Sequence, residues 1–163
     1  MLNSKPNNAN YHQGLYIPEN IHKTIQLNEK GGFWYRSMLE KKAMIYFDNS
    51  PDVLLWSSEP LRIPYVKNTW DDEKNVYVSK THGYYPDFYY ETVGGRKVIA
   101  EVKPVSETKM PSALNEKATA KQRKNFDYAL KTFEKNMYKW TYAKEFCDKN
   151  GIEFKIITDE FLN

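Results

Sequence analysis

The residues best suited to chemistry lie in two short stretches, GYYPDFYY and VIAEVKP, which place Asp87 on one expected strand and Glu101-Val102-Lys103 on the next, with thirteen residues between Asp87 and Glu101. Gly94 and Gly95 fall between the two strands and suit a tight hairpin turn, because glycine tolerates the positive φ such turns demand. The strands should therefore be antiparallel neighbours. Side chains alternate along a strand, so Glu101 and Lys103 share one face while Ala100 and Val102 point to an apolar one. Two carboxylates and an ammonium then converge. Asp87, Glu101 and the backbone carbonyl of Val102 would make a partial oxygen cage for Mg²⁺, with Mn²⁺ as a substitute, since hard cations prefer oxygen ligands and retain waters. Lys103 would orient or deprotonate an attacking water and stabilise charge on a phosphate, which is the chemistry of metal-assisted phosphodiester hydrolysis. An aspartate followed at this distance by Glu-x-Lys also arises by chance as a surface ion pair. The flanks favour the site: proline precedes Asp87, an apolar strand leads into Glu101, and proline follows Lys103.

The elements that must position these groups can be read from periodicity. Residues 1–30 lack sustained periodicity and read as an irregular arm. A single α/β domain over residues 31–163 follows. After Gly31 and Gly32, apolar residues recur at helical spacing from Phe33 through Met38, Ile45 and Phe47, predicting a first helix that ends near Asp48–Pro51. From Val53 to Lys103 the chain is rich in β-branched and aromatic residues broken by Pro, Asn, Asp and Gly, the pattern of a sheet. A long amphipathic helix is predicted over about residues 118–150 on Phe126, Leu130, Phe133, Met137, Trp140 and Phe146, capped by Gly151 and followed by a strand in IEFKIIT. Glu40 lies on the first helix four residues after Arg36, where the two could form a helical ion pair worth about 0.3 to 0.5 kcal/mol or where Glu40 could join the site.

Length and composition set the bounds. The 163 residues, 40% hydrophobic and 15% aromatic, suffice for one core. The lone cysteine, Cys147, excludes an internal disulfide and a multi-cysteine zinc site, and fits a reducing compartment. The N-terminal stretch lacks the pattern of a secretory signal, and no run of about 18 apolar residues is available for a membrane span. The three histidines form no metal motif, and neither a G-x-S-x-G elbow nor a phosphate-cradling P-loop occurs. Net charge is only +3, but Lys117–Lys149 holds nine Lys or Arg against four Asp or Glu. Lys121, Gln122, Arg123 and Lys124 open the long helix, where such a cluster could grip DNA phosphates, although a solvated basic face reads the same way. Most tryptophans and tyrosines at these spacings belong to a core. Tyr84 and Tyr85, beside Asp87, are the candidates for stacking on bases.

The runs YRSMLEKK, SPDVLLWSSEPLRIPY, YYPDFYY and VIAEVKP, with the Lys139-Trp140 pair in MYKWTYAKEFCDKNGIEFKIIT, resemble the head-completion nucleases of large contractile-tailed phages over about residues 33–160. Those proteins look like members of the PD-(D/E)xK superfamily, similar in their N-terminal arrangement to the transposon end-cleaving nuclease TnsA. The resemblance implies a restriction-endonuclease-like fold with a central mixed sheet flanked by helices. It implies Glu40 as the helix acid, Asp87 as the metal-binding aspartate, and Glu101 with Lys103 as the rest of the signature. Arg36 joins the basic cluster as a DNA contact. The implied substrate is double-stranded DNA or its ends, processed in a filled capsid before neck and tail attach. The implied partners are portal or neck proteins, the implied location the host cytoplasm during assembly or the virion, and a homodimer is compatible with all of this. A non-catalytic head or neck connector that keeps a nuclease-like fold is the rival.

Overall fold

The structure is a computed structural model and describes Asn3, Lys5 and residues 12–163. Nine residues of the expected N-terminal arm thus lie outside the described residues, and its later part is ordered by specific contacts. Strand β1 (Gly14–Tyr16) pairs antiparallel with β2 (Phe33–Tyr35). The Phe33-Trp34-Tyr35 run, expected to open the first helix, is therefore a strand, and helix α1 spans Met38–Asn49. Bulky aromatics favour a pleated surface, and Ser37 caps the helix by accepting the Glu40 N–H at 3.1 Å. Helix α1 buries Ala43, Met44, Phe47 and Asp48. Burying Asp48 completely is tolerable because its carboxylate accepts from the Tyr16 hydroxyl and the Glu19 N–H at 2.8 Å each and from the Asn20 N–H at 3.2 Å. These bonds fasten the N-terminal segment to α1.

Five strands follow: β3 (Val53–Ser58), β4 (Ile63–Asp71), β5 (Val76–Tyr84), β6 (Phe88–Thr92) and β7 (Lys97–Lys103). The expected sheet is in fact divided. Strands β3, β6 and β7 form the central sheet, whereas β4 and β5 pair only with each other as a long ribbon of nine residue pairs. The hairpin between β6 and β7 forms as expected, though its connection is four residues, Val93–Arg96, and only Gly95 takes a positive φ, of 82°. Helix α2 (Ala120–Asn150) then crosses over, because a parallel neighbour requires such a connection. Strand β8 (Glu153–Thr158) lies parallel to β7 and completes the order β3-β6-β7-β8, and a short helix α3 (Asp159–Leu162) ends the chain. Thr119 and Gln122 form a capping box at the start of α2, and Gly151, at φ 66°, closes its end.

Two cores result. One lies between α1 and one face of the central sheet and contains Phe33, Met44, Phe47, Trp56, Phe88, Tyr90, Val98, Ala100 and Val102. The other joins the base of the β4–β5 ribbon to α2 through Ile63, Tyr65, Tyr84 and Ala143, with Tyr142 and Phe146 against them. The buried residues of α2, Asn136, Trp140, Ala143 and Cys147, form one stripe in its C-terminal half, while Phe126, Leu130 and Phe133 are half-buried and Met137 is exposed.

Candidate active site

Strand alternation builds the site. Val98, Ala100 and Val102 enter the α1 core, so Glu101 and Lys103 occupy the opposite face of β7. Continuing the antiparallel register one step beyond Phe88 and Ala100 sets Asp87 against Glu101, where opposed side chains start about 5 Å apart. The Asp87 carboxylate accepts the Val102 N–H at 2.7 Å. A residue's N–H and C=O point to the same edge of a strand, so the Val102 carbonyl shares that edge with Asp87. Glu101 is 2% exposed, accepts the Tyr84 hydroxyl at 2.5 Å and pairs with the Lys103 ammonium at 3.3 Å.

The electrostatics reflect this crowding. Burial pushes the Asp87 carboxyl well above the usual carboxylate range, and the nearby Glu101 and Glu40 carboxylates push the same way, against the Lys103 ammonium and the Val102 N–H. Glu40 is raised too, chiefly by burial, with Arg36, Ser37 and Lys103 opposing. For Lys103, burial lowers the ammonium, but Glu101 and Asp87 outweigh it and leave the group above its ordinary value. Glu40, Asp87, Glu101 and Lys103 are therefore close enough to feel one another's charge, although they derive from a helix and two strands.

Among the described residues no three His, Cys, Asp or Glu side chains converge tightly enough to cage a metal by themselves. Glu40 stands back because it completes the helix start, accepting the Arg36 N–H at 2.7 Å and the Ser37 hydroxyl at 3.2 Å. The inner set is Asp87, Glu101 and the Val102 carbonyl. An all-oxygen set with two crowded carboxylates and one lysine suits a hard divalent cation that keeps waters and takes further oxygens from its substrate.

The expected DNA contacts are not gathered here. Arg36 precedes α1, so the helical Arg36–Glu40 ion pair does not form; its guanidinium pairs with Glu59. Gln122 is engaged in the capping box, and Arg123 donates to the Glu116 and Ala118 carbonyls at 3.1 and 3.2 Å. Lys121 and Lys124 are exposed. Lys121 lies eighteen residues before Lys139 on the same helix, about 27 Å at 1.5 Å per residue. Tyr84 is 2% exposed and serves Glu101 rather than offering a stacking face, whereas Tyr85 is exposed.

Two residues to which the sequence assigns no role in the chemistry, Glu59 and Lys139, also stand at the site. Glu59 adopts a left-handed backbone, φ 47°, and its N–H donates to the Asp87 carbonyl at 2.9 Å, which fixes the start of β6. Its carboxyl is raised by burial despite the Arg36 guanidinium. Lys139 of α2 lies over the Tyr84 ring, 5.4 Å from its centroid. Burial lowers the Lys139 ammonium below its ordinary value, Lys135 and Lys103 push the same way, and Glu101 and Asp87 oppose. The signal for Lys139 was its place beside Trp140 on the buried stripe of α2.

A helix acid, an aspartate at the head of one strand and Glu-x-Lys on the next, in a mixed four-stranded sheet flanked by helices, define a restriction-endonuclease-like α/β nuclease domain. Residues 50–159 match the family described as TnsA-like endonuclease N terminal. Over 151 residues the chain is 30% identical to the Head completion nuclease of Enterobacteria phage T4, with 93% of each chain covered. The chain belongs to the TnsA-like endonuclease N-terminal family.

Proposed function

We propose that this protein is a divalent-metal-dependent DNA endonuclease that processes the packaged DNA end during phage head completion. The convergence of Asp87, Glu101 and Lys103 on one face of β7 carries this reading. Family membership and the head-completion relative support the nuclease role and the phage setting. Asp87, Glu101 and the Val102 carbonyl would hold Mg²⁺ or Mn²⁺. When bound, such an ion lowers the pKa of water and neutralises charge on a phosphate oxygen. The chain's own groups do the remainder. Lys103, held by Glu101, positions the attacking water and faces the phosphate. Tyr84 fixes the Glu101 rotamer, and Glu59 fixes the backbone at Asp87. Glu40, kept high by burial, adds an acid close to Lys103. The substrate would be double-stranded DNA or its ends, met at the portal or neck of a filled head in the host cytoplasm.

The test is cleavage of supercoiled, linear and overhang-bearing DNA by purified protein with Mg²⁺, Mn²⁺ or EDTA. Cutting should require the metal and fall by roughly 10²- to 10⁴-fold in Lys103→Ala. Undiminished cutting by that variant, or by wild type in EDTA, would refute the mechanism. Failure to cut any DNA would instead favour a head or neck connector that keeps the fold without the reaction.

A further inference from the structure

The β4–β5 ribbon carries a feature that folding alone does not explain. Its register sets Lys67 directly opposite Lys80. Like charges directly opposed on an antiparallel pair are destabilising, and neither ammonium forms an ion pair among the described residues. Both lysines lie on the ribbon face that also carries Ile63, Tyr65, His82 and Tyr84, since these positions alternate in step. That face turns toward α2. Tyr65 packs against Tyr142 with ring centroids 6.3 Å apart, Lys67 lies 6.0 Å from the Tyr138 ring centroid, and Lys139 lies over Tyr84. Lys135, one turn before Lys139, adds its charge to the same side. The basic run stops at the ribbon tip, where Asp71, Asp72 and Glu73 follow one another.

We propose that Lys67 and Lys80, with Lys135 and Lys139 of α2, form a phosphate-backbone track that leads DNA from the ribbon into the Asp87–Glu101–Lys103 site. A polyanion lying beside the half-buried Lys67 and the exposed Lys80 relieves their repulsion, which gives the opposed pair a use. Lys80 lies four residues from Tyr84 along β5, about 13 Å, or the axial rise of about four base pairs. The track therefore contacts DNA beside the scissile phosphate, and it reads no sequence because its ligands are phosphates. This inference rests on the nuclease reading above.

The experiment measures binding of a fluorescent duplex in EDTA, without cleavage, across a salt series for wild type, Lys67→Ala/Lys80→Ala and Lys80→Glu, together with each protein's melting temperature. The double variant should bind at least about tenfold more weakly near 0.15 M salt, and the slope of log affinity against log salt should become shallower by about two. Lys80→Glu should weaken binding while raising the melting temperature, because it converts the repulsion into a cross-strand ion pair. A role confined to folding would move binding and stability together. Wild type that binds with a slope unchanged in both variants would overturn the track alone. Wild type that binds no duplex at any salt would overturn the track and the DNA-nuclease reading together.

Discussion

Strand β7 presents two faces that obey opposite rules. Val98, Ala100 and Val102 sink into an apolar core with Phe47, Trp56 and Phe88, where every added contact strengthens the fold. One residue away, Glu101 and Lys103 share the other face with Asp87, where carboxylates crowd one another and desolvation works against their charges. The contrast teaches that the first face supplies the stability against which the second is held. Neither face could be exchanged for the other by a one-residue slip, because the period of two would bury charge against α1 and present valines to the substrate.

The contrast can be broken most severely from the apolar side. Phe88→Ala removes a fully buried ring packed 5.1 Å from Phe47, and chemical denaturation should show a loss of about 3 to 5 kcal/mol. On the charged face, Glu101→Gln should leave the denaturation midpoint near wild type or above it but reduce Mg²⁺-dependent cleavage by more than about 100-fold. Its signature is activity lost without stability.

The pH dependence sharpens the same contrast. A carboxyl whose folded pKa is raised binds its proton more tightly in the native state than in the unfolded chain, so stability falls as pH rises from the unfolded value, near 4, through the raised folded value. Asp87, Glu40 and Glu59 are all raised. In EDTA the melting temperature should therefore decline as pH climbs above about 4, and Asp87→Asn should flatten that decline. A melting temperature that rises steadily over this window would contradict the account of the site. The smallest effect is expected far from both faces: Lys121→Ala/Lys124→Ala, at the exposed start of α2, should weaken duplex binding in an anisotropy titration by less than about threefold.

Much of this was legible in the sequence because it is local. The β6–β7 hairpin follows from two alternating runs around a glycine pair, and α2 from its 3.6-residue period and Gly151 cap. The sharing of a face by Glu101 and Lys103 needs only the two-residue period of a strand. What the sequence concealed is non-local. Phe33–Tyr35 satisfies helical spacing as well as a strand, and its partner Gly14–Tyr16 lies in a stretch with no periodicity of its own. The separation of the β4–β5 ribbon depends on which edges pair, and the strands look alike in composition. Lys139 is one lysine among many on a basic helix; its place beside the buried Trp140 marks it in the sequence, and the Tyr84 ring beneath it sets it at the site. Arg36 and Glu40 sit at helical spacing, but the Ser37 cap starts the helix after Arg36, so Glu40 meets the Arg36 backbone N–H while the guanidinium goes to Glu59.

The proposal that Asp87 is held against the fold's own stability in order to bind a cation is tested by the melting temperature of Asp87→Asn with and without Mg²⁺, read beside its DNA cleavage. The variant should melt higher than wild type in EDTA, gain nothing from Mg²⁺ and cut no DNA. A variant that melts lower in EDTA, is still stabilised by Mg²⁺ and still cuts would contradict it.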